Sequence, residues 1–221
     1  MTYSLAGRDP VTGDLGFAVT TSSVCVGARV GAVTDGCVVF SQARTDPRLH
    51  GVGLRMWELT GDAQETLAAM KSAATAMHWR QLGVFPKMGI PLHCTGSSCL
   101  DAGGGMIGTN SLALGNFLGS DDVLPAMVRG FEDTSGDLAS RLMAGMLAGE
   151  EAGSERDPLQ SAAIVVLGTE GLKDVDLRVD SSKIPLQELQ EMLVAWLPKA
   201  PAYRVRAMDP DAAEMSSSIE R

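Results

Sequence analysis

Two short apolar runs separated by turn residues open this sequence, and they constrain its fold more than any other feature. Residues 3–7 and 15–21 are rich in apolar and β-branched residues, which is typical of strands. Residues 8–14 between them (RDPVTGD) contain Asp, Pro and Gly, which favour turns. The pattern predicts a β-hairpin at the start of the chain, and the two strands of a hairpin are antiparallel.

Strand and helix patterns follow in a mixed order along the rest of the chain. The dipeptide Asp35-Gly36 is a strong hairpin signal and separates predicted strands at 24–33 and 36–43. Apolar periodicity predicts further strands at 81–85, 92–95, 111–114, 160–167 and 175–179, and helices at 62–78, 121–131, 136–150 and 185–197. This order lacks the strict alternation of a parallel doubly wound sheet. We therefore expect an α+β fold in which helices cover mainly antiparallel sheets.

The length and composition fit one globular domain. Hydrophobic residues make up 45% of the 221 residues and charged residues 20%, which is ordinary for a chain with a packed core. No linker rich in Gly, Ser or Pro divides the chain into two units. We place the domain at residues 1–198 and expect the polar tail at residues 199–221 to be mobile or to lie over the surface.

The charge and hydropathy of the chain argue against two classes of partner. The net charge of −9 repels nucleic-acid phosphates and anionic lipid headgroups, and Lys and Arg are scattered. No run approaches the ~18 apolar residues of a membrane helix, and the amino terminus lacks the features of a signal peptide. We expect a cytoplasmic protein that binds neither nucleic acid nor membrane, and its apolar helices suggest a homodimer.

Two patterns that resemble metal or cofactor sites fail on their context. His93 and Cys94 are neighbours in a predicted strand, so their side chains point to opposite faces, and no second His or Cys pair has zinc-like spacing. The segment Gly103–Gly108 matches the dinucleotide-binding fingerprint, but that motif must open a helix and residues 109–114 have an extended pattern. We expect neither a metal nor a cofactor.

The second residue is a threonine, and an initiator methionine is commonly removed before a small residue. Removal of Met1 would give Thr2 a free α-amine, whose pKa of ~7.7–8.0 lets it accept the proton of the Thr2 hydroxyl without a histidine. If the hairpin turns around Thr12, antiparallel pairing places Thr2 approximately opposite Ser22. The chain start would then lie beside the four hydroxyl residues at 20–23, which can bind a carbonyl group or an oxyanion.

Segments spread over most of residues 2–197 share the sequence pattern of one known family. They are Thr2–Val19, Val26–Ala28, Ser41–Pro47, Gln81–Val84, Thr95–Gly96, Gly115–Asn116, Gln160–Ala163 and Val175–Asp180. Together they resemble the bacterial family called domain of unknown function 1028, which is placed in the N-terminal nucleophile (Ntn) hydrolase superfamily. The resemblance implies a four-layer αββα sandwich of the Ntn-hydrolase type. It also implies hydrolysis of an amide bond.

Together, the hairpin and the resemblance predict a hydrolase of a small non-peptide amide, such as a formamide or enamide in a catabolic pathway. If Met1 is removed, Thr2 is the predicted nucleophile. If Met1 is retained, Thr2 has no adjacent amine, and a carboxylate would assist direct hydrolysis instead. The predicted catalytic residues are Thr2, Ser22, Glu155 and Asp14, and the predicted substrate-binding residues are Thr21, Ser23, Gln42, Asn116 and Arg156.

One alternative function stays open on the sequence. The chain could be a catalytically inactive module that binds a ligand or regulates a partner on the same fold. Ser22 stands where the family often has a lysine, and a retained Met1 would remove the amine that activates Thr2. Both features are compatible with lost catalysis.

Overall fold

The computed structural model describes residues 1–99, 102–168 and 170–220. Within these residues the chain forms strands β1 (Thr2–Arg8), β2 (Leu15–Thr21), β3 (Gly31–Val33), β4 (Cys37–Ala43), β5 (Arg80–Pro86), β6 (Leu92–Thr95), β7 (Gly104–Ile107), β8 (Ser111–Asn116), β9 (Ser161–Leu167) and β10 (Lys173–Val179). The α-helices are α1 (Arg48–Thr60), α2 (Ala63–Ala73), α3 (Val123–Asp133), α4 (Leu138–Glu151), α5 (Pro185–Trp196), α6 (Ala200–Met208) and α7 (Ser216–Ile219).

The strands form two sheets, so the predicted α+β class is confirmed. The six-stranded sheet has the order β10-β9-β2-β1-β8-β7, and the four-stranded sheet has the order β3-β4-β5-β6. Every strand pair in the described part of the chain is antiparallel. The predicted first hairpin pairs β1 with β2, and β8 pairs with the other side of β1.

Three apolar cores hold the helices and sheets together. The first lies between the six-stranded sheet and helices α3, α4 and α5, and it includes Leu5 and Phe131. The second lies between the two sheets, where the rings of Phe17 and Phe40 meet edge to face with centroids 5.6 Å apart. The third joins the four-stranded sheet to α1 and α2 and includes Met70. The two sheets therefore pack face to face, with helices on their outer sides.

Strand alternation decides which side chains of β1 reach the space between the sheets. Leu5 belongs to the core under the helices, whereas Ala6 belongs to the core between the sheets. Successive side chains of a strand point to opposite faces. Thr2 and Ser4 therefore share the face of Ala6 and point toward the four-stranded sheet.

Helix α1 and the segment before β3 differ from the sequence-based predictions. No element was predicted over α1, because Gly51 and Gly53 interrupt its helical pattern. Gly53 is required by packing instead, since a Cβ there would lie 2.7 Å from the sulfur of Met70. The predicted strand at 24–33 is only β3, preceded by a 3-10 turn at Val26–Ala28 with Cys25 in the left-handed conformation.

The glycine-rich segment and the tail also contain elements that were not predicted from the sequence. Residues 104–107 form β7, so the fingerprint-like glycines lead into a strand and not into a helix. The tail contains α6 and α7, and α6 packs against the domain. Arg204 donates to both carboxylate oxygens of Asp174 at 2.9 and 2.7 Å, and the ring of Tyr203 stacks on Trp196. The boundary at residue 198 stays a prediction.

Candidate active site

The pairing of β1 with β2 brings two threonine hydroxyls together at the amino terminus. Tyr3 is opposite Thr20, so Thr2 meets Thr21, one residue earlier than the predicted Ser22. The two hydroxyl oxygens are 3.3 Å apart, and both donate to the carbonyl oxygen of Met1. Thr2 is only 4% exposed and Thr21 only 3%. The predicted meeting of the chain start with the hydroxyl cluster is confirmed, with a corrected register.

Two cavities meet at Met1. A small one of about 50 Å³ is lined by Thr2 and Thr21 together with Ser23 and Arg29. A larger one of about 400 Å³ is lined by Arg44, Trp79, Phe117, Arg156 and Asp157. Met1 and Ala43 line both cavities. Met1 therefore lies between the threonine pair and the larger cavity, and its removal would join the two.

Glu155 lies beside the amino terminus and is 6% exposed. Its carboxylate accepts the backbone N–H of Ser22 at 3.0 Å, while its second oxygen has no hydrogen-bond partner among the described residues. Burial raises the pKa of Glu155 to about 7, although the nearby amino group of Met1 and the Ser22 hydrogen bonds act in the opposite direction. A carboxyl group with this pKa can take or give a proton at neutral pH.

A fully buried network of hydrogen bonds between polar side chains lies between the sheets below Thr2. Ser4 donates to the carbonyl oxygen of the Gln42 side chain at 2.8 Å, and Gln42 donates to Gln81 at 2.7 Å. Asn116, which is opposite Thr2 on β8, also donates to Gln81, at 2.9 Å. The side-chain oxygen of Asn116 has no partner in the described part of the chain. These hydrogen bonds hold the predicted substrate-binding residues Gln42 and Asn116 on the face of the sheet that carries Thr2.

Three of the predicted residues occupy other positions than expected. Asp14 lies at the turn of the first hairpin, beside the pair Arg8–Leu15 and at the far end of both strands from Thr2. It lines a separate cavity of about 330 Å³ and cannot act on a substrate at Thr2. Ser22 contributes its backbone to Glu155 and does not face Thr2, because the register is shifted by one residue. Ser23 is exposed and receives a hydrogen bond from Arg29 at 3.0 Å.

Strained backbone conformations surround the same region. Ala43 has a φ of 68°, Phe117 of 55° and Ser154 of 55°, in the left-handed region that side chains disfavour. Ala43 and Phe117 line the larger cavity, and Ser154 precedes Glu155. Such conformations persist where the surrounding structure enforces them, often at functional sites. These conformations are a second indication, independent of the hydroxyl and carboxyl groups, that the region around Met1 is a functional site.

The sequence model of the family described as "Family of unknown function (DUF1028)" matches residues 2–189. The chain belongs to this family. A solved structure of the same family, the crystal structure of protein SPO2555 from Silicibacter pomeroyi, is 28% identical in sequence and superposes with a TM-score of 0.83. That match covers 91% of this chain and 89% of the other. No curated protein matches the chain.

Gln81 is the residue of this DUF1028 chain that sequence reasoning missed. Its side-chain nitrogen donates to the Thr95 hydroxyl and to the carbonyl oxygens of Gly104 and Gly115, at 2.8 to 3.0 Å. The only available signal was a glutamine in an otherwise apolar strand. With Gln42 included, its partners come from four other strands, β4, β6, β7 and β8, which a local pattern does not identify.

Among residues 1–99, 102–168 and 170–220, no group of three or more His, Cys, Asp or Glu side chains is arranged to hold a metal ion. In the same residues, no helix is long and apolar enough to cross a membrane.

Proposed function

We propose that the chain hydrolyses a small non-peptide amide with Thr2 as nucleophile after removal of Met1. One observation carries the proposal: two buried hydroxyls already bind the carbonyl oxygen of an amide bond, the one that joins Met1 to Thr2. Once Met1 is removed, the carbonyl group of a substrate can approach the same two hydroxyls. The larger cavity, then continuous with it, has room for the rest of the substrate.

The proposed reaction begins with the α-amine of Thr2. In its neutral form the amine accepts the proton of the Thr2 hydroxyl, and the hydroxyl oxygen attacks the amide carbon. The Thr21 hydroxyl donates to the oxygen of the tetrahedral intermediate. The protonated α-amine then gives its proton to the leaving nitrogen, the C–N bond breaks, and the acyl group remains as an ester on Thr2.

Water completes the proposed reaction. A water molecule attacks the ester carbon, a base takes one of its protons, and the hydroxyl of Thr2 is restored as the acid is released. The products are a carboxylic acid and an amine or ammonia, so one water is consumed for each amide. Glu155 supports this step because its pKa of about 7 suits a proton acceptor at neutral pH.

The packing of the molecule supports an Ntn-hydrolase-like αββα sandwich as the scaffold of this site. The three apolar cores follow one another from α1 and α2 through both sheets to α3, α4 and α5. The nucleophile then begins a central strand of one sheet and faces the other. A cytoplasmic location and a homodimer belong to the same proposal.

The proposal is tested by comparing Thr2→Ala with Thr12→Ala on a panel of formamides and enamides. Thr12 is the exposed threonine at the other end of the same hairpin. We expect Thr2→Ala to lose at least ~10³-fold in kcat/KM, as enzymes do when a nucleophile is removed, and Thr12→Ala to retain full activity.

Other results would separate the alternatives. If an unprocessed chain hydrolyses amides and Thr2→Ala is fully active, the covalent mechanism is wrong and direct hydrolysis assisted by Glu155 replaces it. If the wild-type chain is inert on the whole panel, the function as an amide hydrolase is wrong. An inactive binding or regulatory module would then take its place.

A further inference from the structure

Arg44 carries a positive charge that the protein itself does not neutralise. The chain has an excess of acidic residues, 27 against 18 basic ones, and its other arginines include close ion pairs such as Arg204 with Asp174. The guanidinium group of Arg44 has no carboxylate within 4.0 Å and donates no hydrogen bond in the described part of the chain. Its donors are therefore available to a ligand.

The local structure holds Arg44 in one orientation at the larger cavity. Its guanidinium carbon lies 3.8 Å from the centroid of the Trp79 ring. The backbone N–H of Arg44 donates to the carbonyl oxygen of Trp79 at 3.2 Å, and the carbonyl oxygen of Arg44 accepts from the Arg80 side chain. Stacking on an aromatic face leaves the edge of a guanidinium group free to bind a planar anion.

The geometry points to a substrate that carries a carboxylate group, bound by Arg44 while its amide carbonyl lies at Thr2 and Thr21. This inference rests on the proposed amide hydrolase and names its substrate class: amides with one carboxylate. The remaining charged residues of the larger cavity, Arg156 and Asp157, offset each other in formal charge. Arg29 of the small cavity uses its donors on Ser23 and on the carbonyl oxygens of Cys25 and Val24. Arg44 is thus the cation whose donors can bind one carboxylate.

The test compares two formamides that differ only in charge. N-formyl-β-alanine carries a carboxylate, and N-formyl-β-alaninamide carries a neutral carboxamide of nearly the same shape. With the full chain and formate release as the readout, we expect kcat/KM to favour the anion by about 10- to 100-fold, the effect of a hydrogen bond to a charged group. Arg44→Gln should reduce this ratio to about one, and Arg44→Lys should restore part of it.

Arg55→Gln is the matched control for the change of charge. Arg55 is exposed on α1, and it lines neither cavity at Met1. This variant should keep the wild-type preference for the anion. If wild type hydrolyses both formamides equally well, or if Arg44→Gln keeps the preference, the inference is wrong although the proposed function stands.

A binding measurement separates the failure of this inference from the failure of the proposed function. The probe is 4-oxopentanoate, a ketone with a carboxylate and no amide bond. Its neutral counterpart is hexane-2,5-dione, in which a second methyl ketone replaces the carboxylate. We expect calorimetry to detect binding of the anion to wild type and to Arg55→Gln, and its loss in Arg44→Gln. If no amide is hydrolysed but the anion binds in this way, the carboxylate site is supported without the hydrolase. If the anion does not bind to wild type, the carboxylate site is wrong.

Discussion

Glu155 is a carboxyl group in surroundings that disfavour its charged form. Its carboxylate has one backbone donor, Ser22, and an otherwise dehydrated position, so burial outweighs the favourable contacts and raises its pKa to about 7. Proteins retain such costly groups mainly where they are used. In the proposed mechanism Glu155 lies next to the amino group of the chain, where it can take or give a proton.

The raised pKa of Glu155 gives a prediction for stability against pH. When folding raises the pKa of a carboxyl group, stability is unaffected below the unfolded value near 4.5 and falls as pH rises from there to about 7. Glu155→Gln, which keeps an acceptor for Ser22, should therefore be more stable than wild type at pH 8, by up to about 3 kcal/mol, and equal to it at pH 4. The same variant should lose activity.

Urea unfolding at pH 4 and pH 8 checks this prediction. Glu151→Gln removes a charge from the exposed end of α4 and should change stability by less than about 0.5 kcal/mol at pH 8. A Glu155→Gln variant that is destabilised equally at both pH values would show that the carboxyl group is not held at an unfavourable pKa.

At the scale of elements, α4 packs closely against β1 and α3 because it carries a glycine at the contact. A Cβ at Gly145 would clash with the side chain of Leu5 and would lie 2.8 Å from the carbonyl oxygen of Met127. Gly51 in α1 differs, since a Cβ there would meet only the flexible end of Arg55, at 3.2 Å. Gly145 and Gly51 therefore allow a controlled comparison of alanine at a packed and at an unpacked helix position.

Alanine at these two glycines should change stability in opposite directions. Helix propensity favours alanine over glycine by about 1 kcal/mol at either position. At Gly145 overpacking exceeds this gain, and we expect a net loss of about 1–2 kcal/mol. Gly51→Ala should be neutral or more stable. Thermal unfolding of both variants gives the comparison, and a stabilised Gly145→Ala would contradict the packing described for α4.

The elements that local patterns predicted are those whose apolar residues repeat without interruption, such as β1, β2, β9 and α5. Helix α1 was not predicted because Gly51 and Gly53 interrupt its pattern, and Gly53 serves a contact with Met70 of α2. In the site, the hairpin alone predicted that Thr2 meets the hydroxyl cluster. The register was wrong by one residue, since the turn is closed by backbone hydrogen bonds of Asp9 with Asp14 and Gly13 that the sequence does not reveal.

The remaining site residues depended on contacts between distant segments. The sequence offers Glu155 and Asp14 equally as the assisting carboxylate, and the hairpin carries Asp14 away from Thr2. Only the folded chain places Glu155 at Ser22. Gln81 joins strands of both sheets, so no local pattern identified it.

At the scale of the whole molecule, the tail is part of the packed structure although the family match ends at residue 189. Helix α6 contributes the contacts of Arg204 with Asp174 and Glu170 and of Tyr203 with Trp196. These contacts lie near the surface, where ion pairs add little stability. None of these residues lines the cavities at Met1.

Truncation after residue 198 should therefore leave a folded and active domain. We expect its Tm to fall by about 2–8 °C, the effect of losing one or two kcal/mol in a chain of this size, with kcat/KM unchanged at 25 °C. Calorimetry and the formamide assay measure both quantities. An unfolded truncated chain would place the domain boundary beyond residue 198. Light scattering on the same samples tests the predicted homodimer.

The nucleophile is tested most directly by the mass of the intact protein before and after reaction with a small β-lactone, which acylates activated hydroxyls. We expect the purified chain to be lighter by one methionine residue and to gain a single stable adduct that peptide mapping assigns to Thr2. Thr2→Ala should gain none, and Thr12→Ala should react like wild type. A chain that retains Met1, or one that loses it and forms no adduct at Thr2, would contradict the proposed nucleophile.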